Sequence, residues 1–194
     1  MAHTSTPDLL ILHAVRLKGF ADTDVLARRF DLEPETTQAA LKDYVAKGWI
    51  TSSSFGDLSG WSLTEDGRRV NEGQLRDELD GITKREEIAR LHDAFLPHNA
   101  TVTAACSAVQ LNPSSATYDQ AWEQLSGVAA ALRVLEDELT ACLTRFTGYH
   151  RRFNLALFRA DEDPGWLTGT DLDSSHRVWF ELHEDLIATL GITR

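Results

Sequence analysis

Three histidines fall on apolar faces of predicted helices, where an imidazole could bind a small molecule or a metal ion. His176 and His183 lie seven residues apart in a last helix predicted from Asp171 to about Leu190. His98 follows Pro97 in an earlier helix, and a proline there tends to kink the helix and to leave a carbonyl without its usual partner. Polar groups beside a kink suit a small-molecule pocket. The candidate ligand-binding residues are His98, Asn99, His176, Trp179 and His183.

Two other interpretations of these histidines stay open. A histidine on an apolar face is often a hydrogen-bonded core residue. A zinc site would need ligands three or four residues apart, whereas seven residues separate His176 from His183 by about 10 Å along the helix axis. We predict neither a metal site nor a cofactor.

Familiar catalytic patterns are missing from the sequence. It contains no glycine-rich phosphate loop, no Gly-x-Ser-x-Gly and no Cys-x-x-Cys. The two cysteines, Cys106 and Cys142, lie far apart within apolar helical patterns, which favours small buried thiols over a disulfide. We therefore do not expect an enzyme.

Composition places the chain among ordinary globular proteins. It has 194 residues, of which 42% are hydrophobic and 25% charged, with a formal net charge of −11. An apolar run of eighteen residues is absent, and residues 1–7 lack the basic and apolar regions of an export signal. We expect a cytoplasmic protein without a membrane partner.

Helical periodicity and turn residues divide the chain into two predicted domains, and the fold class is mainly α. Residues 1–80 form three or four helices and a two-stranded hairpin, and residues 81–194 form a helical bundle in which Ile88 to Val109 and Leu125 to Phe146 make heptad-like seams. The predicted elements of the first domain are helices at Asp8–Lys18, from Asp22, from Pro34 and from Thr64 to about Leu79, and strands at Trp49–Thr51 and Trp61–Leu63 joined by the loop Ser52–Gly60.

The helix that begins at Pro34 has two distinct faces. Its inward side is predicted to carry Thr37, Ala40, Leu41, Tyr44 and Val45. Its outward side is predicted to carry Glu35, Thr36, Gln38, Ala39 and Lys42. A short helix, a tight turn and a second helix in this order present the second helix to a partner surface, with Arg28 and Arg29 of the short helix pointing outward nearby.

The run from Leu32 to Gln38, then Lys47 to Ile50, then Trp61 to Arg68 resembles the winged-helix domain of MarR-type and PadR-type bacterial transcriptional regulators over about 70 residues. The resemblance implies a homodimer that binds operator DNA, with the helix from Pro34 in the major groove and the hairpin as the wing. From the seams and the histidines of residues 81–194, we predict that the C-terminal helical domain dimerises and senses a small-molecule effector. The DNA-binding residues that the resemblance implies are Arg28, Arg29, Thr36, Gln38, Lys42, Ser53 and Ser54.

The sequence departs from that family's pattern in its charge. Ala39 stands where such regulators often carry arginine, and the hairpin loop holds no basic residue. Residues 1–80 contain 9 Lys and Arg against 14 Asp and Glu, although phosphate contacts supply most nonspecific DNA affinity. An acidic winged helix also fits an interaction module that regulates a partner enzyme without DNA binding, and this alternative stays open.

Overall fold

The computed structural model describes residues 2–56, 58–170 and 172–192, with Phe55 described by its backbone alone. These residues form two compact units. The N-terminal unit contains the described residues of 4–83 and 188–194, and the helical unit contains those of 1–3 and 84–187. Gly81, the predicted boundary residue, lies inside a helix.

The helices of the N-terminal unit begin where polar caps and prolines predicted them. Between residues 4 and 83 the elements are α1 (Pro7–Lys18), β1 (Phe20–Ala21), α2 (Thr23–Arg29), α3 (Pro34–Ala46), β2 (Ile50–Phe55), β3 (Leu58–Leu63) and α4 (Glu65–Ile82). The side chains of Thr6, Asp22 and Thr64 each accept a hydrogen bond from a first-turn N–H, at the starts of α1, α2 and α4. Pro34 occupies the first turn of α3, where its missing N–H costs little.

The core of this unit joins the first three helices to the start of β2. Tyr44 on α3 is almost fully buried, and its hydroxyl donates a 2.5 Å hydrogen bond to Oδ1 of Asp8 on α1. Burial and that bond to the carboxylate both raise the pKa of Tyr44. The buried apolar residues around it include Leu12, Val15, Leu26, Leu41 and Ile50.

The sheet has three antiparallel strands in the order β1-β3-β2, so both predicted strands are present and β1 was not predicted. Phe20 pairs with Ser62, and Ile50 pairs with Leu63. The hairpin strands also extend through most of the predicted loop, of which Asp57 lies outside the described residues. A two-residue strand and a serine run lack the alternation that marks strands in a sequence.

Gly67 fixes the start of α4 against the turn that follows α3. A Cβ atom there would lie only 1.9 Å from the carbonyl oxygen of Trp49, so no other residue fits this position. Thr64 accepts a hydrogen bond from the N–H of Gly67 and donates one of 2.9 Å to the same Trp49 oxygen. The segment from Leu63 to Arg68, which is part of the run that resembles a winged-helix domain, therefore has a structural role of its own.

The helical unit is built on two long helices. Its elements are α5 (Arg85–Leu111), α6 (Ser115–Cys142), a 3-10 turn (Thr144–Phe146), α7 (Tyr149–Ala160), α8 (Gly165–Thr168) and α9 (Ser175–Leu190), the last three residues of α9 being grouped with the N-terminal unit. Arg90 near the start of α5 pairs with Glu138 near the end of α6, as expected of antiparallel helices joined by three residues. The buried seams confirm the heptad-like prediction: Ile88, Leu91, Phe95, Val102, Ala105 and Val109 on α5, and Leu125, Val128, Leu132, Leu135, Leu139 and Cys142 on α6.

Several local features of the helical unit differ from the predictions. Helix α6 begins at Ser115, because Ser114 caps it. The last helix begins at Ser175, and Asp171, its predicted start, lies outside the described residues. Both cysteines are free and buried, as predicted, and burial raises the pKa of Cys106 to about 12. Among the residues that the structure describes, no helix combines the length and the apolar character needed to cross a bilayer.

Candidate functional site

The outward face of α3 is exposed along most of its length. Thr36, Gln38, Ala39 and Lys42 are all exposed, as is Glu35 in the first turn, so the predicted orientation of these residues is confirmed. Gln38 and Lys42 are four residues apart and therefore neighbours on one stripe of the helix. This stripe carries an amide and an ammonium group, both of which can donate hydrogen bonds to a partner.

Two residues that the sequence placed on particular faces lie elsewhere. Val45 is exposed rather than packed on the first two helices. Arg29 is only 8% exposed, and its guanidinium lies 4.4 Å from the centroid of the Phe30 ring, so the prediction that it points outward was wrong. A seven-residue helix turns fewer than two full circles, and the side chain folds back over the aromatic ring at its end. Arg28 remains exposed.

Fewer cations are exposed near α3 than the sequence predicted, because Arg29 is buried. Lys47 lies 2.6 Å from the carboxylate of Asp43 and 4.6 Å from the ring centroid of Trp49. Its charge is thus partly compensated. Of the three cations in the predicted DNA-binding set, Arg28 and Lys42 are exposed and Arg29 is buried.

The β2-β3 hairpin exposes hydroxyl groups and the apolar side chain of Leu58. Ser54 on β2 is exposed and Ser53 half-buried, so the two predicted serines belong to a strand rather than a loop. Leu58, directly after the turn, is 69% exposed. Between residues 48 and 63 the sequence has no lysine or arginine.

Two of the predicted ligand-binding residues, Trp179 and His183, lie in a packed aromatic cluster of the helical unit. Trp179 is buried, stacks on Phe95 at 4.8 Å between ring centroids, and donates a 3.0 Å hydrogen bond to Oδ1 of Asn99. His183 lies 5.3 Å from the Phe95 ring and 6.4 Å from the ring of His92. Helices α5 and α9 are therefore neighbours here, and their contact is filled by side chains.

The other two histidines of the predicted set are half-buried. Burial lowers the pKa of His176, which favours its neutral form. His98 sits directly after Pro97, and α5 continues through both residues as one helix. Within the described part of the chain, no group of three or more His, Cys, Asp or Glu side chains could hold a metal ion.

A buried network of ion pairs holds α7 and α9 and was missed by the sequence analysis. Asp185 pairs with Arg145 and accepts a 2.8 Å hydrogen bond from Tyr149. Arg152 lies 2.8 Å from Oε2 of Glu181. Glu181 and Asp185 are almost fully buried.

Burial alone would lower the pKa of Arg152, but the bonds to the carboxylates of Asp173 and Glu181 outweigh it and raise that pKa. Arg152 is therefore a paired and largely buried charge. Phe180 on α9 is 49% exposed. The sequence signal for these ion pairs was the presence of arginines before and on α7 and of carboxylates on α9. Spacing along the chain could not show which arginine pairs with which carboxylate.

A cavity of about 520 Å³ opens between the start of α6, the end of α7 and α8. None of the five predicted ligand-binding residues lines it. Its lining residues are Ser115, Tyr118, Asp119, Trp122, Ala160, Asp161, Pro164 and Leu167.

Comparison with known proteins assigns no family to this arrangement: no protein-family model matches the chain, and neither a curated protein nor a solved structure gives a significant match.

Proposed function

We propose that the protein is a dimeric DNA-binding transcriptional regulator whose N-terminal unit acts as a winged helix. The observation that carries this proposal is the exposed polar face of α3, supported from behind by the core of α1 and α2. A helix held in this way after a short helix and a turn fits the width of a DNA major groove. The β2-β3 hairpin then serves as the wing.

Some side chains of the N-terminal unit contact bases in this proposal, and others contact phosphates. Gln38 can form paired hydrogen bonds with an adenine edge, and Thr36 can contact either kind of base. Lys42 and Arg28 supply phosphate contacts, and Ser53 and Ser54 add hydroxyl donors from the wing. The base contacts set the sequence, and the phosphate contacts set the position on the duplex.

The low number of exposed cations near α3 lowers the expected nonspecific affinity for DNA. Each neutralised phosphate contributes about −0.9 to the slope of log affinity against log salt. With Arg29 buried and Lys47 beside Asp43, each protomer has few such contacts. We expect weak nonspecific binding, a shallow salt dependence and specificity that depends on base contacts.

We propose that the exposed side of α5 forms the dimer contact. Residues 94–118 contain no Asp, Glu, Lys or Arg, although the chain has a net charge of −11. Two copies of an acidic chain approach with least repulsion through an uncharged face. The exposed residues of this face include Ala94, Pro97, Ala100, Ala104, Ala108 and Leu111.

Sedimentation equilibrium tests the dimer contact. An Ala104→Glu variant places like charges opposite each other and should raise the dimer dissociation constant at least tenfold. Gln124→Glu adds the same charge at an exposed site on α6 and serves as the control. Equal dissociation constants for the two variants would remove α5 from the interface.

DNA binding is tested by a salt-titrated anisotropy assay on DNA from the region upstream of the protein's own gene. Lys42→Ala should weaken binding several-fold and reduce the salt slope by about two, because the dimer loses one phosphate contact in each protomer, whereas Arg133→Ala in the helical unit should leave both unchanged. Identical affinities for the wild type and Lys42→Ala would remove α3 from the interface.

The acidic composition favours a second candidate, a winged-helix interaction module that regulates a partner enzyme. Residues 1–80 carry five more acidic than basic residues, and Leu58 exposes an apolar side chain beside the hairpin turn. The buried centre of a protein–protein interface is more apolar than the rest of the surface. Failure to enrich any DNA sequence, together with loss of protein capture in a Leu58→Ser variant, would favour this candidate over DNA binding.

A further inference from the structure

The cavity at the start of α6 is lined by aromatic, acidic and apolar side chains. Tyr118 and Trp122 supply two aromatic rings, and Asp119 and Asp161 supply two carboxylates. Ala160, Pro164 and Leu167 add apolar surface, and the described residues that line the cavity include no lysine, arginine or histidine.

The α6 residues of this lining share one helix face. Ser115, Tyr118, Asp119 and Trp122 follow steps of three, one and three residues, which brings them onto the first two turns of the same side. The indole N–H of Trp122 donates a 3.3 Å hydrogen bond to the carbonyl oxygen of Leu157 on α7. This bond fixes the ring at the cavity wall while the side chain stays 45% exposed.

The electrostatic environment of the cavity favours positive charge. The C-terminal end of α7, at Ala160 and Asp161, and the N-terminal end of α6, at Ser115, both line the cavity, so their opposite partial charges oppose each other and the two carboxylates decide the sign. Aromatic faces also attract cations through their quadrupoles. The nearby cation Arg159 is placed over the Trp166 ring, at 4.5 Å from its centroid, and does not line the cavity.

We propose that this cavity binds a lipophilic organic cation, with its aromatic or alkyl body against Tyr118, Trp122 and Leu167 and its charge near Asp119 and Asp161. A volume of about 520 Å³ falls within the range of small-molecule sites. The proposal rests on the cavity alone and holds whether or not the N-terminal unit binds DNA. In a DNA-binding dimer, such a ligand would act by favouring one spacing of the two α3 helices.

Two probes of nearly the same shape and opposite charge test this proposal. Tetraphenylphosphonium and tetraphenylborate are titrated separately into the full chain by isothermal calorimetry, without DNA and in a potassium-free buffer. The phosphonium should bind at one site per chain, with an affinity that falls as salt is added. Equal affinities for both probes, or no binding of the phosphonium, would overturn the proposal.

Three substitutions separate the cavity from the general acidity of the protein. Asp119→Asn and Asp161→Asn should each weaken phosphonium binding about threefold to tenfold, because each removes one charge near the ligand. Asp137→Asn, at an exposed site on the same helix α6, removes the same charge away from the cavity and should leave the affinity unchanged. Phosphonium binding that the Asp119→Asn/Asp161→Asn double variant leaves unchanged would place the ligand elsewhere.

Discussion

The hydroxyl of Tyr149 donates a 2.8 Å hydrogen bond to Oδ2 of Asp185, and both side chains are buried in the helical unit. Oδ1 of the same carboxylate pairs with Arg145, whose side chain is also fully covered. A carboxylate in such a place is stable only because both partners are present, since an isolated buried charge is very costly. The position of α9 on its neighbours thus depends on charge pairing as well as on apolar packing.

Replacement of Asp185 by asparagine should lower the free energy of unfolding by about 3–5 kcal/mol, because it removes the charge of a fully buried carboxylate that pairs with the Arg145 guanidinium. Urea unfolding followed by circular dichroism measures this change. Glu138→Gln breaks the exposed pair with Arg90 and should have little effect. Equal losses in the two variants would mean that Asp185 has no special role.

Acidic pH should destabilise the protein in part through His176. Burial lowers its pKa below the ordinary value of 6.5, so the unfolded chain takes up a proton before the folded chain does. Stability from this residue is complete above pH 6.5 and falls as the pH drops from there through the lower, folded pKa.

A His176→Gln variant removes this contribution. Its loss of unfolding free energy between pH 7.5 and pH 5.5 should be smaller than that of the wild type, as measured by urea titrations at both pH values. A loss equal to that of the wild type would show that the imidazole is not responsible.

Local signals in the sequence predicted most of the helices. Asp22, Pro34 and Thr64 marked helix starts correctly, because capping is decided by the first turn alone. The apolar seams of α5 and α6 were also predicted, because period and burial are linked within one helix.

Features that depend on partners distant in the chain escaped prediction. Glu181 and Asp185 have the composition of a solvated face, and only the folded chain brings Arg152 and Arg145 to them. The two residues of β1 gain strand geometry only by pairing with β3. The cavity likewise draws on three elements, so its lining residues have no common motif in the sequence.

Position 39 offers a gain-of-function prediction. Ala39 is exposed on α3, between the positions proposed to contact DNA. Ala39→Arg should add one phosphate contact in each protomer, tighten DNA binding at low salt and steepen the salt slope of the dimer by about two. Ala130→Arg adds the same charge at an exposed site on α6 and should change neither quantity. A similar gain for both variants would indicate a general charge effect rather than a position in the groove.

The most direct test of the central claim is selection of binding sites from a random DNA library, done in parallel with the wild type and with Gln38→Ala. We predict that the wild type enriches a defined, two-fold symmetric sequence. The variant should lose discrimination at one base pair in each half-site, equivalent to about 1–3 kcal/mol per contact. The same enriched sequence from both proteins, or no enriched sequence from either, would contradict DNA reading by α3.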